Sequence, residues 1–298
     1  MAQSGLNTGI SKGIHQGVKS GLEMANIRSG LKGGVVSSIW DKSKMQNPLN
    51  LSGIKKPLIF CNADNLTTNT GTVITLTDLI GSGFTLTNAQ GTSFTPDLVV
   101  KDIFASRDSL DFNTAASSLY PTPDVNFNGK SEVSIIMVCK LKAIAAQIFY
   151  IEDSITPGGV DLSMTDTNRT LRSIYYGGQP GSITNSQYDS FLSQGESSDW
   201  MILTLKYRLK QPGGAGSEQE MYVNGRLQHK LNSSTFNIIT TSMTSAQALI
   251  IGNTSIASGS RGNSMSLGSF LLLDYWMNES EQLRLENYFR WYYGNKFW

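Results

Sequence analysis

The chain has 298 residues, with 24 Lys and Arg against 23 Asp and Glu and a net charge of +1. That length suits one large domain, or one all-β domain with an appendage, and so even a balance gives no global field to steer the molecule to nucleic acid or an anionic membrane. Only 16% of residues are charged and 39% are apolar, while Asn, Ser, Thr and Gly are abundant, a texture of short strands joined by turns.

The first element is a beat of four: GLNT, GISK, GIHQ, GVKS, GLEM. Glycines stand at Gly5, Gly9, Gly13, Gly17 and Gly21, each followed by an aliphatic residue, Leu6, Ile10, Ile14, Val18 and Leu22. As a helix, each tetrad advances 400°, so the aliphatic stripe drifts slowly around the rod and favours right-handed winding against a partner. Five helical glycines cost about 5 kcal/mol relative to alanine, so something outside the segment must recover that. As an extended chain, a period of four is also a multiple of two, which puts the aliphatics on one face and the glycines on the other. A low-complexity tail and a membrane-active amphipathic peptide are the competing readings. The second has suitable cations in Lys12, Lys19, Arg28 and Lys32 but lacks a bulky anchor before Trp40. Residues 1–56 hold eight basic and two acidic residues, a charge of +6, which leaves −5 for the rest. The arm, residues 1–48, closes at the turn signal Asn47-Pro48. It begins without the continuous apolar stretch of a secretion signal, so synthesis in a cytoplasm is expected. No run approaches the roughly 18 apolar residues of a membrane helix.

From Pro57 the pattern changes to short apolar runs broken by Gly, Asn, Asp and Pro. In chain order the strand-like runs are PLIFCNA, TVITL, FTLTN, DSLDFN, SEVSIIMVCKLK, QIFYIED, VDLSM, RTLRSIYY, DWMILTLKYRL, EQEMYVNG, RLQHKL, QALIIGN and MSLGSFLLLDYWM. Such spacing with no helices between the runs predicts an antiparallel sandwich or jelly roll rather than βαβ units. Cys61 and Cys139 fall in two of these runs and are read as buried free thiols. In EMYVNGRLQHKL, Asn224-Gly225 supplies the two positive-φ positions of a type I′ hairpin, with Met221 and Val223 on one face and Tyr222 on the other. The last segment, NESEQLRLENYFRWYYG, predicts a helix capped by Asn278 or Ser280, with Glu281 completing a capping box. Its apolar face is Leu285, Tyr288, Phe289 and Tyr292, and Gly294 is its stop.

The order of these pieces resembles a concanavalin A-like, laminin-G-like jelly roll over residues 57–298. The landmarks are PLIFCNADN; the "D-x-x-G-x-G" of Asp78, Gly81 and Gly83; the strand from Asp108 to Asn113; DWMILTLKY; MYVNGRL; and the close LGSFLLLDYWMNESEQLRLENYFRWYYG. The resemblance implies two antiparallel sheets and a C-terminal helix packed on the sandwich. Where the family often has an acidic residue before the closing apolar run, this chain has Ser269-Phe270, so no metal ligand is carried over. With two histidines, His15 and His229, and no CxxC, no zinc site and no cofactor are expected.

Folds of this kind host glycosidases, lectins and structural modules, so the residues must decide. A retaining glycosidase needs two carboxylates about 5 Å apart on one sheet face, which sandwich glucanases meet with E-x-D-x-E. Here the nearest match is Glu218-Gln219-Glu220, with Tyr222 where the third acid would stand, so a solvated strand is the expectation. Neither histidine sits in a G-x-S-x-G context. No catalytic residue is assigned. For glycan contact, RSIYYGGQPGSITN offers Tyr175, Tyr176 and Asn185; one tyrosine in the core and its neighbour over an edge is the plainer reading. An assembly arm on such a sandwich resembles virion proteins of tailed bacteriophages. That resemblance implies a structural protein of capsid, fibre or tail, held to other virion proteins through residues 1–48 and assembled in the host cytoplasm. A homo-oligomer and a cell-surface glycan are the expected partners, and neither nucleic acid nor membrane is. The alternatives are a tail-associated depolymerase and a non-viral lectin.

Overall fold

The computed structural model describes residues 54–71, 73–88, 95–103, 106–112, 117–125, 132–141, 147–153, 158–165, 170–176, 186–191, 200–209, 217–233, 249–252, 265–294 and 297. The arm and every residue assigned to it lie outside them. Residues 51–298 form one compact unit.

One sheet is built on three long apolar runs, β8 (Glu132–Leu141), β13 (Met201–Leu209) and β17 (Met265–Leu273). In β8, Val133, Ile135, Met137, Cys139 and Leu141 join one core, while Ser134, Ile136 and Val138 are buried on the opposite face. A strand covered on both sides reads as a continuous hydrophobic run, which is why these three stand out in the sequence. Around them the antiparallel order is β15 (Arg226–Ser233), β14 (Ser217–Val223), β13, β8, β17, β6 (Arg107–Phe112) and β5 (Asp97–Ile103). β1 (Ile59–Asn62) pairs with β17, Cys61 opposite Phe270.

The second layer is made of two pieces. β2 (Leu66–Asn69), β3 (Ile74–Thr77), β4 (Thr85–Thr87) and β7 (Tyr120–Thr122) form one. β12 (Ser186–Phe191), β11 (Thr170–Tyr176), β10 (Gly158–Thr165), β9 (Gln147–Asp153) and β16 (Leu249–Ile251) form the other. The backbones of Leu119 and Ile251 exchange hydrogen bonds of 3.0 and 2.8 Å and join the two pieces. Ile74, Leu76, Leu86, Leu119, Ile148, Leu249 and Ile251 from this layer share a single core with Ile135, Met137, Leu203, Leu205, Phe270 and Leu272 from the first. The architecture is the expected antiparallel jelly-roll sandwich.

The Asp78 motif is a structural clasp. Its carboxylate accepts from Phe60 N at 2.8 Å, Ser82 N at 2.7 Å and Ser82 Oγ at 2.6 Å, so the β3–β4 turn is tied to β1. Gly81 and Gly83 take φ of 65° and 89°, the left-handed region that favours glycine. Cys61 and Cys139 are free and buried, as expected, and burial pushes the Cys139 thiol up to about 12.

The predicted helix is α1 (Glu279–Tyr292). Asn278 caps it: its side chain accepts from Glu281 N at 3.0 Å, and Glu281 returns an acceptor to Asn278 N at 3.0 Å. Gly294, at φ 78°, donates to Trp291 O at 3.0 Å and ends it. Leu285, Tyr288, Phe289 and Tyr292 are its buried face. That face lies on the outside of the first sheet, where Tyr288 and Phe289 each meet Phe60 edge-on at 5.9 Å. Asp64 secures the far end, accepting from Arg107 at 3.1 Å, Tyr292 Oη at 2.6 Å and Asp108 N at 2.8 Å.

Candidate functional site

Strand alternation puts Thr204, Lys206 and Arg208 of β13 on the outer face, because Leu203, Leu205 and Tyr207 belong to the core. Antiparallel register then sets them opposite particular partners. Lys206 faces Glu220, and Glu220 faces Lys230 across the next strand pair; Arg208 faces Glu218 on one side and Glu132 on the other. Directly opposed residues in neighbouring strands are within side-chain reach. Glu220 Oε2 accepts from Lys206 Nζ at 2.6 Å and from Tyr222 Oη at 2.8 Å, and its Oε1 from Lys230 Nζ at 2.5 Å. Glu218 Oε2 meets Arg208 NH2 at 2.5 Å and Nε at 2.7 Å.

Two aromatic rings roof this ladder. Trp276 lies 4.4 Å from the Arg208 guanidinium and 5.0 Å from Lys206 Nζ, and the Tyr222 ring is 4.9 Å from the same nitrogen. Lys206 is 1% exposed and Glu220 5%. The expectation of a solvated strand is corrected here. Glu218 and Glu220 do share a face, but sheet register buries them among cations and aromatic rings. Burial alone would raise the Glu220 pKa; hydrogen bonds from Lys206, Lys230 and Tyr222 outweigh it and hold the carboxyl at about 2. A glycosidase acid needs the opposite shift. Tyr222 is pushed up, first by burial and then by its bond to Glu220.

Beside the ladder, the β14–β15 hairpin turns against α1. Asn224 has φ 52° and Gly225 φ 81°, the type I′ geometry expected of Asn-Gly. Asn224 Oδ1 accepts from Ile202 N at 2.8 Å, and Arg290 NH2 donates to Asn224 O at 2.5 Å. A Cβ at Gly225 would stand 2.7 Å from both Arg290 NH2 and Glu286 Oε2, and at φ 81° a side chain is strained as well, so glycine suits the turn's place against the helix. Glu286, 1% exposed, forms the floor. It accepts from Thr204 Oγ1 and Gln282 Nε2, both at 2.9 Å. Between hairpin and helix lies a cleft of about 430 Å3, with Tyr222, Arg226 and Leu227 on one side and Glu279, Leu283 and Arg290 on the other.

Sequence reasoning missed this cleft because its two walls lie far apart in the chain. The ladder did leave a signal: cations at 206 and 208 and carboxylates at 218 and 220, alternating on two runs joined by one glycine-rich loop. The residues assigned to glycan contact sit elsewhere. Tyr175 and Tyr176 are the last two residues of β11, opposite Val160 and Gly159 in β10, and Asn185 lies outside the described residues. His229 pairs with Met221 in backbone register, and His15 lies outside the described residues. Among the described residues, no group of three or more His, Cys, Asp or Glu is placed to hold a metal ion, and no helix is long and apolar enough to cross a membrane.

No protein-family model and no curated protein matches the sequence. Solved structures do match the fold. The binding domain of Paraclostridial Mosquitocidal Protein 1 is 14% identical at a TM-score of 0.53, covering 78% of this chain and 52% of that one. The receptor binding domain of botulinum neurotoxin C/D mosaic serotype is 11% identical at 0.52, covering 78% and 51%. The binding domain of Botulinum Neurotoxin DC, in complex with SialylT, is 10% identical at 0.50, again covering 78% and 51%. The chain therefore spans about half the length of these structures, and at such identity what it shares with them is the all-β fold.

Proposed function

We propose that the jelly roll is a non-catalytic recognition module that binds carbohydrate. The observation that carries this is the state of its best-placed carboxylate pair: Glu218 and Glu220 are neutralised by Lys206, Arg208 and Lys230, and Glu220 is held strongly acidic. Glu220 is thereby ill suited to give a proton to a leaving group, and both carboxylates are buried and engaged by cations, which closes them to an anomeric carbon. Fold likeness to toxin binding domains, one of them solved with a sialylated ligand, supports binding as the role by analogy. Full-length protein on an array of immobilised oligosaccharides should retain at least one class, and incubation with that glycan should generate no new reducing ends. New reducing ends that vanish in Glu220→Gln would replace this reading with the depolymerase.

The setting we propose is a virion of a tailed bacteriophage, with residues 1–48 as the attachment arm. It rests on the Gly-aliphatic tetrads from Gly5 to Leu22 and on the excess of cations in residues 1–56. The 49–298 truncation should stay folded but no longer assemble. Comparing its mass with that of the full chain by light scattering separates two cases. An oligomer that falls to a monomer makes the arm a self-association device; monomers in both point to docking on a different protein.

A further inference from the structure

We propose that the cleft between the β14–β15 hairpin and α1 is a saccharide subsite, one pyranose ring packing on Tyr222, Leu227 and Leu283 with its hydroxyls bound by Arg226 and Glu279. The inference rests on the carbohydrate-binding reading and assigns that function a place. Three observations carry it.

The first is apolar surface where it is least expected. Among the described residues only Val100, Leu227 and Leu283 are large hydrophobics with high exposure, at 61%, 49% and 56%, and two of the three line this one cleft. The second is a preset aromatic wall. Tyr222 is fixed at its hydroxyl by Glu220 at 2.8 Å and by Lys206 Nζ at 4.9 Å from its ring, so it loses little freedom when a ligand packs on it. The third is uncommitted hydrogen-bonding capacity at the rim. Arg226 and Glu279 are exposed, and neither side chain has a hydrogen-bonding or ion-pair partner among the described residues. By contrast, Glu286 and Arg290 beneath are engaged with Thr204, Gln282 and Asn224 and hold the walls in place.

The chemistry separates a sugar from other ligands. A simple anion would gain from Arg226 but would face Glu279, and it would have no use for the leucines. An apolar ligand would leave both charged groups desolvated and unpaired, which is costly. A pyranose has one face of C–H groups and a perimeter of hydroxyls that both donate and accept. It therefore satisfies an apolar wall, a guanidinium and a carboxylate at once. The volume, about 430 Å3, is within the usual small-molecule range of roughly 300–1,000 Å3.

The test uses the full chain, the oligosaccharide array, and calorimetric titration with the best free oligosaccharide. Arg226→Ala should weaken binding about tenfold, the loss of a charge-assisted hydrogen bond, and Leu283→Glu should weaken it by at least as much. Tyr222→Ala should lose binding, because the aromatic wall goes with the ring. Arg226 and Leu283 are exposed, so unchanged melting temperatures for their variants keep the test decisive even where Tyr222→Ala fails to fold. Wild-type binding that Arg226→Ala and Leu283→Glu leave unchanged would overturn the cleft assignment and leave the carbohydrate reading standing, with the β11 end as the place to look. A wild type that retains no glycan would overturn both.

Discussion

The two faces of the first sheet are made by the same strands and obey different rules. On the inner face, Ile135, Met137, Leu203, Leu205, Phe270 and Leu272 share one core with the second layer, where apolar groups of about the right volume serve. On the outer face, Ser134, Thr204, Lys206, Glu220 and Ser269 are as deeply buried, yet each depends on particular partners. Ser134 Oγ donates to Tyr275 O at 2.8 Å and accepts from Met277 N at 3.0 Å, and Ser269 Oγ lies 2.6 Å from Asn62 Oδ1. The inner face supplies stability through apolar volume. The outer face supplies specificity of arrangement: which strands neighbour which, where α1 lies, and how the hairpin is held. The inner face should therefore answer to lost volume and the outer face to lost partners.

The largest effect belongs to the inner face. Phe270 is fully buried opposite Cys61, and Phe270→Ala should cost about 4 kcal/mol in urea unfolding, from lost transfer energy and the cavity left behind. A loss below 1 kcal/mol would mean that the two layers are not packed against each other through β17.

Next comes Glu220→Gln, at about 2–3 kcal/mol, because Lys206 stays buried with its counter-charge removed. Here stability and activity separate: glycan binding by the folded variant should fall far less than stability does, because the amide oxygen still accepts from Tyr222 Oη and keeps the ring in place. The same carboxylate sets an acid limit. Its folded pKa, about 2, lies below the ordinary 4.5, so its contribution is complete above pH 4.5 and is lost as pH falls toward 2. Glu220→Gln should flatten that part of the stability profile. An unaltered profile would mean that Glu220 gains nothing from its cations.

Much of this was legible beforehand, for local reasons. The Asn224-Gly225 turn, the Asn278–Glu281 capping box and the glycines of the Asp78 motif each follow from backbone chemistry within a few residues. β8, β13 and β17 were legible because burial on both faces writes a long apolar run. The strands that were not read are β2, β5, β7 and β12. β2, β5 and β12 stand at sheet ends, where a strand is free to be polar, as in LTTN and SQYDSF, or irregular, as β5 is at Lys101, whose φ is 57°. β7 stands at the opposite end of the piece that begins with β2, and it carries Pro121, which argues against a strand when read alone. The charged ladder was half legible. Its alternation is in the sequence, but its burial depends on Trp276 and on β8 lying beside β13, neighbours that only the folded chain brings together.

The smallest effect sharpens the comparison most. Lys230 touches the same carboxylates as Lys206, at 2.5 Å from Glu220 and 3.5 Å from Glu218, but its side chain is 45% exposed. Removing it in Lys230→Met orphans nothing: Glu220 keeps Lys206 and Tyr222, and Glu218 keeps Arg208. The loss should stay under about 1 kcal/mol and shrink with added salt, as for a surface pair. At high pH the sign reverses from the acid limit. Hydrogen bonding to Glu220 raises the Lys230 pKa and burial raises that of Tyr222, so their contributions are complete below the ordinary values of 10.5 and 10.0 and are lost as pH rises through the folded ones. Lys230→Met should remove only the lysine's share of that alkaline loss. If Lys230→Met instead destabilised as much as Glu220→Gln, the outer face would be one cooperative network in which exposed and buried cations are equivalent. A small, salt-sensitive loss would confirm that burial, not the number of contacts, decides which partner the face depends on.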